Sequence, residues 1–145
     1  MKVFYLGVDV SKKKLDLCLR SNGKDILYDV IPNDLSSIKS WLTRTFEKFF
    51  LSEDSLVVCA EHTGQYTYPL VCATKSIGVY LCLEDAAKIK YCHGIKKKKN
   101  DKIDACRIAM YAERYNDCLQ PYTASELIIQ KLKNLSTERS MLVAD

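Results

Sequence analysis

No apolar stretch in this chain of 145 residues approaches the roughly 20 that a helix needs to cross a bilayer, so a membrane span is excluded. Met1-Lys2-Val3 leads straight into a strand-like segment and not into a signal peptide, which sets the expectation of a cytoplasmic protein without membrane partners. No Cys-x-x-Cys pair occurs. The seven cysteines are an odd number and sit mostly inside apolar segments, so they read as buried free thiols rather than a disulfide or zinc framework. Cys92 and His93 are adjacent, a spacing that rarely ligates one ion. The five glycines are scattered singly, which leaves no glycine-rich loop to cradle a phosphate, and there is no internal repeat.

What is present is ordinary globular composition, 48% apolar and 28% charged, over a length that suits one domain with a real core. The net charge of +4 is modest but unevenly placed. Lys88, Lys90, Lys96, Lys97, Lys98, Lys99 and Lys102 crowd one short segment, and Lys12, Lys13 and Lys14 form another cluster. Such clusters match either a footprint for phosphate backbones or a solvated lysine loop.

Val3 to Val10 is apolar throughout except for Asp9, as in a central strand buried on both faces. Leu15 to Arg20 alternates apolar and polar residues, Ser21-Asn-Gly-Lys24 signals a tight turn, and Asp25 to Ile31 returns as a strand. This predicts an antiparallel meander. Pro32-Asn33-Asp34 punctuates and caps, and Leu35, Ile38, Leu42, Phe46, Phe49 and Phe50 then recur at helical spacing in a long amphipathic helix. A strand over 56–60, a helix over 66–76 and a strand over 79–83 follow, and this alternation implies parallel pairing. Further helices are expected over 84–91, over 101–115 and from about Ser125. The assembled fold class is α/β: a mixed five-stranded sheet, its first three strands antiparallel, flanked by helices with one more at the C-terminus. That is an RNase H-like arrangement.

Asp9 calls for a partner, because an isolated carboxylate in a buried strand is costly unless paired, hydrogen-bonded or bound to metal. Glu61 ends its strand as Asp9 ends its own, so neighbouring parallel strands would present both at one edge. Asp101 and Asp104, three apart at a helix start, project from one face. Together the four make an oxygen-rich set for Mg²⁺, with Mn²⁺ able to substitute; paired ions about 3.5–4 Å apart serve phosphoryl transfer by holding the attacking and leaving oxygens. Taken singly, Asp9 and Asp101 also read as caps, Glu61 as a surface strand end and Asp104 as a partner of the helix dipole.

Gly7-Val-Asp-Val-Ser-Lys12, Glu61-His-Thr-Gly-Gln-Tyr66 and Lys99-Asn-Asp-Lys-Ile-Asp-Ala105 occur in order and closely resemble the signature set of the DEDD transposases, insertion-sequence recombinases related to the Piv DNA invertase. The resemblance covers essentially the whole chain. It implies that Asp9, Glu61, Asp101 and Asp104 are the family's four catalytic, metal-binding acids on a RuvC-like domain. It implies Mg²⁺-dependent DNA strand cleavage and exchange, with target choice guided by a structured noncoding RNA. Lys12, Lys96, Lys97, Lys98, Lys99 and Lys102 are then the expected nucleic-acid contacts. Asn100 stands where many members carry Thr, and the family's second domain, which supplies an attacking serine, is not in this sequence.

The expected division is a catalytic domain over 1–120 and, over 121–145, the start of a helical linker. Ile128, Leu132, Leu135 and Leu142 have near-heptad spacing interrupted by Arg139, and no closing Gly, Asn or Pro precedes the end at Asp145. The resemblance implies a homo-oligomer through that helix; an amphipathic helix folded back on the core is the alternative. Three rival functions remain to be weighed. A RuvC-like Holliday-junction nuclease shares the acids and the basic surface. A noncatalytic nucleic-acid-binding module leaves four matched acids unexplained. An actin-like sugar kinase also opens with a Gly-x-Asp strand, but the missing phosphate loops argue against it.

Overall fold

The computed structural model describes residues 3–93 and 101–122; of residues 90–93 and 101 it describes the backbone alone. Strands β1 (Phe4–Val10), β2 (Lys14–Ser21) and β3 (Lys24–Pro32) form the antiparallel meander. Asn22 and Gly23 close the β2–β3 turn with φ of 53° and 74°, the positive values that fit a two-residue hairpin to the right-handed strand twist. Strands β4 (Leu56–Glu61) and β5 (Tyr80–Glu84) add in parallel, giving a five-stranded sheet ordered β3-β2-β1-β4-β5.

Helix α1 (Leu35–Phe49) starts where Asp34 Oδ1 accepts the Ser37 N–H at 2.7 Å, and ends at Phe50, whose φ of 54° is left-handed. Its buried stripe is Ile38, Trp41, Leu42 and Thr45. Leu35 and Phe50, expected within that stripe, instead face water, Phe50 at 95% exposure, because the first sits ahead of the buried turn and the second lies beyond the last one. Asp34→Ala removes the one side-chain cap of α1 and is expected to cost about 1 kcal/mol. Thermal unfolding followed by circular dichroism should show a fall of a few degrees.

The helix expected over 66–76 begins as a 3-10 turn, Gly64–Thr67, and becomes regular in α2 (Tyr68–Ile77), with Pro69 in the first turn, where its missing N–H is not needed. Helix α3 (Ala86–His93) starts two residues later than expected, since Glu84 belongs to β5. Helix α4 (Asp101–Arg114) lies as predicted. The helix expected from Ser125 falls outside the described residues. No helix among the described residues is long and apolar enough to cross a membrane.

Alternation along β1 divides the core. Leu6, Val8 and Val10 join Ile38, Leu42, Leu56, Val58 and Leu70 on the face covered by α1 and α2. Tyr5 packs with Val57, Cys59, Cys82, Ile108 and Tyr111 on the opposite face, beneath α4. Gly7 points to that second face, and a methyl group there would overlap the backbone of Ala105 and Ala109. The helix therefore rests directly on the strand. Of the cysteines expected to be buried, Cys18, Cys59 and Cys82 are, Cys72 and Cys106 are half-buried, and Cys118 is exposed because it follows the last turn of α4.

Candidate active site

One edge of the sheet carries acid on four adjacent strands. Asp16 faces Asp9 across the β1–β2 pair, and Glu61 faces Glu84 across β4–β5. The β1–β4 register runs from Phe4 with Leu56 to Val8 with Ala60, and one further step sets Asp9 beside Glu61. Asp16, Asp9, Glu61 and Glu84 thus form a row across β2, β1, β4 and β5. Residues in register share a sheet face. Here it is the α4 face, because Asp9 lies two residues beyond Gly7 and Tyr111 of α4 donates its hydroxyl to Glu84 Oε2 at 3.0 Å.

The direction of α4 brings Asp104 to this edge. Tyr5 packs with Ile108, Tyr111 and Ala112, so the later turns of α4 lie over the start of β1. Gly7 meets Ala105 and Ala109, further along the strand and earlier in the helix. The two elements therefore run antiparallel. Two residues of strand advance about 6.6 Å and a helix rises about 1.5 Å per residue, so Asp9 comes level with the first turn of α4. Asp104 occupies that turn, on the same strip as Ile108 and Tyr111. Asp101 opens the same turn three residues earlier, and its side chain is outside the described residues.

Asp16, Glu84 and Asp104 are held by neighbours. Asp16, only 2% exposed, accepts the Tyr28 hydroxyl on Oδ1 and pairs through Oδ2 with Lys14 at 3.3 Å. Glu84 lies 3.7 Å from Lys88, and Asp104 Oδ1 lies 3.8 Å from the buried Arg107. Asn33 fastens the edge from outside, its amide donating to Ser11 O at 2.8 Å and Tyr66 O at 2.9 Å, which ties the turn after β1 to the turn after β4.

Among the predicted basic residues, Lys12 is exposed in the β1–β2 turn, and Lys102 holds its Nζ 5.2 Å above the ring of Tyr28, whose hydroxyl donates to Asp16. Lys96, Lys97, Lys98 and Lys99 lie outside the described residues. Sequence reasoning missed Glu84 and Asp16. Glu84 terminates an apolar strand just as Glu61 does, and that signal was legible. Asp16 stands in an alternating strand whose polar side is normally wet, yet the fold buries it with its carboxylate held by Tyr28 and Lys14.

The transposase family model DEDD_Tnp_IS110 matches residues 6–145. The chain belongs to the DEDD transposase family. The solved structures that match this transposase domain in fold include two of RuvC from Thermus thermophilus. One, in complex with a Holliday junction substrate, is 13% identical with a TM-score of 0.61, covering 83% of this chain and 99% of that one. The other is 14% identical with a TM-score of 0.63, covering 82% and 99%. No curated protein sequence matches significantly. The RNase H-like, RuvC-like fold expected of a DEDD transposase is thereby shown. The donor chemistry of the acidic row, all carboxylate oxygens with no thiol or imidazole, suits the hard divalent ion that such a domain implies, while among the described residues no three of these carboxylates bring an oxygen each within 4.8 Å of one another.

Proposed function

We propose that this domain is the metal-binding half of a DNA strand-cleavage and exchange site, in which Asp9, Glu61, Asp101 and Asp104 hold Mg²⁺, with Mn²⁺ able to substitute. The reading is supported by the β1–β4 register, which one step beyond Val8 and Ala60 sets Asp9 beside Glu61, and by the seating of α4 on Gly7, which turns the start of that helix toward the same edge. A divalent ion held there would supply stabilisation of the charge that develops on the attacking and leaving oxygens of a phosphodiester. The chain's own residues position the acids. Tyr28 with Lys14 on one flank, and Tyr111 with Lys88 on the other, keep Asp16 and Glu84 oriented and partly neutralised beside the central pair. Lys12, Lys102 and Lys96 to Lys99 then meet the phosphate backbone that the acids alone would repel.

In the same reading, residues 1–120 are the catalytic domain and 121–145 begin a helical linker through which two copies associate. A second domain beyond the linker contributes the attacking serine, a structured noncoding RNA selects the target, and the protein works in the cytoplasm. The serine, the guide RNA and the association of copies through the linker rest on the family resemblance.

The test is to incubate the purified chain with branched, duplex and single-stranded DNA in Mg²⁺ and Mn²⁺, alongside Asp104→Asn and a variant with Lys96, Lys97, Lys98 and Lys99 all changed to Gln. The wild type should bind DNA without cleaving it, because a metal site still needs a positioned nucleophile. The lysine variant should bind more weakly, with a flatter dependence on salt, since fewer counterions are released. Metal-dependent nicking by the wild type that vanishes in Asp104→Asn would instead favour a junction nuclease using metal-bound water. The fold shared with RuvC, solved on a Holliday junction, makes that the second reading.

A further inference from the structure

The sheet row containing Gly7 carries sulfur where the next row carries acid. Cys18 of β2 and Cys59 of β4 are in register with Gly7, and Cys82 of β5 with Cys59. Because Gly7 lets α4 settle onto the sheet, Cys106 of the helix packs against Cys18. Asp25, from the start of β3, completes the group: one ligand atom each from Cys18, Asp25 and Cys106 lies within 4.8 Å of the other two. Cys18 is buried, Cys106 half-buried and Asp25 exposed, so the cluster opens to water on its carboxylate side.

The donor chemistry differs from that of the acidic edge. Two thiols and one carboxylate suit a thiophilic divalent ion such as Zn²⁺ in four-coordinate geometry, with water in the fourth position. A tetrahedral ion with Zn–S bonds of about 2.3 Å needs ligand atoms about 3.7 Å apart, so the cluster must contract by about 1 Å at most. Asp25 is already oriented. Arg20 Nη1 holds its Oδ1 at 2.9 Å, and Arg20 is fixed in turn by Glu113 at 2.9 Å and by Gly23 O at 3.0 Å. Such outer partners commonly set the direction of a ligating carboxylate. With Oδ1 engaged by Arg20, Oδ2 is the oxygen left for the ion.

We propose that Cys18, Asp25 and Cys106 form a zinc-type site that clips α4 to the β2–β3 hairpin. Loading exchanges two thiol protons for one divalent ion and moves no electrons. The clip joins the helix carrying Asp104 to the sheet carrying Asp9, so it fixes the level at which the acidic edge is assembled, while taking a different class of metal.

The reduced 145-residue chain should be titrated with Co²⁺ in excess Mg²⁺ and followed by absorption. One equivalent should produce sulfur-to-cobalt charge-transfer and tetrahedral ligand-field bands that Zn²⁺ then displaces, and the melting temperature should rise. Cys106→Ser should abolish the bands, Asp25→Asn should weaken binding at least tenfold, and Cys82→Ser should leave the bands intact. Cys106 and Asp25 are the less buried members, so these two variants keep the test open if Cys18→Ser fails to fold. Absence of thiolate bands in the wild type would overturn the proposal. Bands that survive Cys106→Ser, or that disappear in Cys82→Ser, would do the same. So would a chain that binds no Co²⁺ when reduced and joins Cys18 to Cys106 as a disulfide in air.

Discussion

Gly7→Ala is expected to be among the most damaging single-methyl changes in this domain, lowering the melting temperature by on the order of 10 °C. An added Cβ would overlap main-chain atoms of Ala105 and Ala109, and backbone cannot turn aside as the end of a flexible side chain can. Relief requires α4 to lift from β1, at an overpacking cost of about 3 kcal/mol or more. Each kcal/mol lowers the melting temperature of a domain this size by a few degrees. Gly23→Ala is a useful contrast. Nothing lies within 4 Å of a Cβ there, and only the positive φ opposes the change, at about 1 kcal/mol. Differential scanning calorimetry of the two variants separates the effects, and equal small losses would show that α4 is not seated on the strand as described. Lifting α4 should also pull Asp104 away from Asp9 and Glu61, so Gly7→Ala should weaken any response to divalent metal.

Asp9→Asn carries the second large expectation. If the acidic edge takes Mg²⁺ or Mn²⁺, wild-type protein at 100 times the dissociation constant gains about 2.7 kcal/mol, on the order of 5–10 °C in melting temperature. Asp9 sits between Asp16 and Glu61 in the row, so it contributes both charge and a central ligand. Its amide should abolish the metal-induced shift while the metal-free protein still folds. Glu84→Gln should reduce the shift without removing it, because Glu84 lies one strand further out and already spends one oxygen on Tyr111. Scanning calorimetry across a metal titration reads both. Wild type and Asp9→Asn responding alike would remove the acidic edge as the metal site.

Much of the fold was open to inspection because its signals are local. Asn22-Gly23 demanded a hairpin, the apolar run of β1 a central strand, and Ile38 with Leu42 a helix packed on one side. Asp9 and Glu61 were legible as neighbours because each ends an apolar run and the intervening elements imply parallel pairing. Where local reasoning failed, the cause was a periodicity that continues past the contact it serves. Leu35 and Phe50 keep the helical spacing, yet no partner element reaches that far.

By itself the amino-acid sequence determined the order and kind of the elements, the family, and the acids that end β1 and β4, since period, turn chemistry and strand-end residues act over a few neighbouring positions. Only the tertiary structure decided what stands beside those acids. Strand register put Glu84 level with Glu61 and Asp16 level with Asp9. The close seating of α4 on Gly7 brought Tyr111 to Glu84 and set Cys106 against Cys18. The contacts made by α4 join residues 27 or more positions apart on separate elements, and their geometry follows from packing backbone on backbone, which no local pattern of side chains encodes.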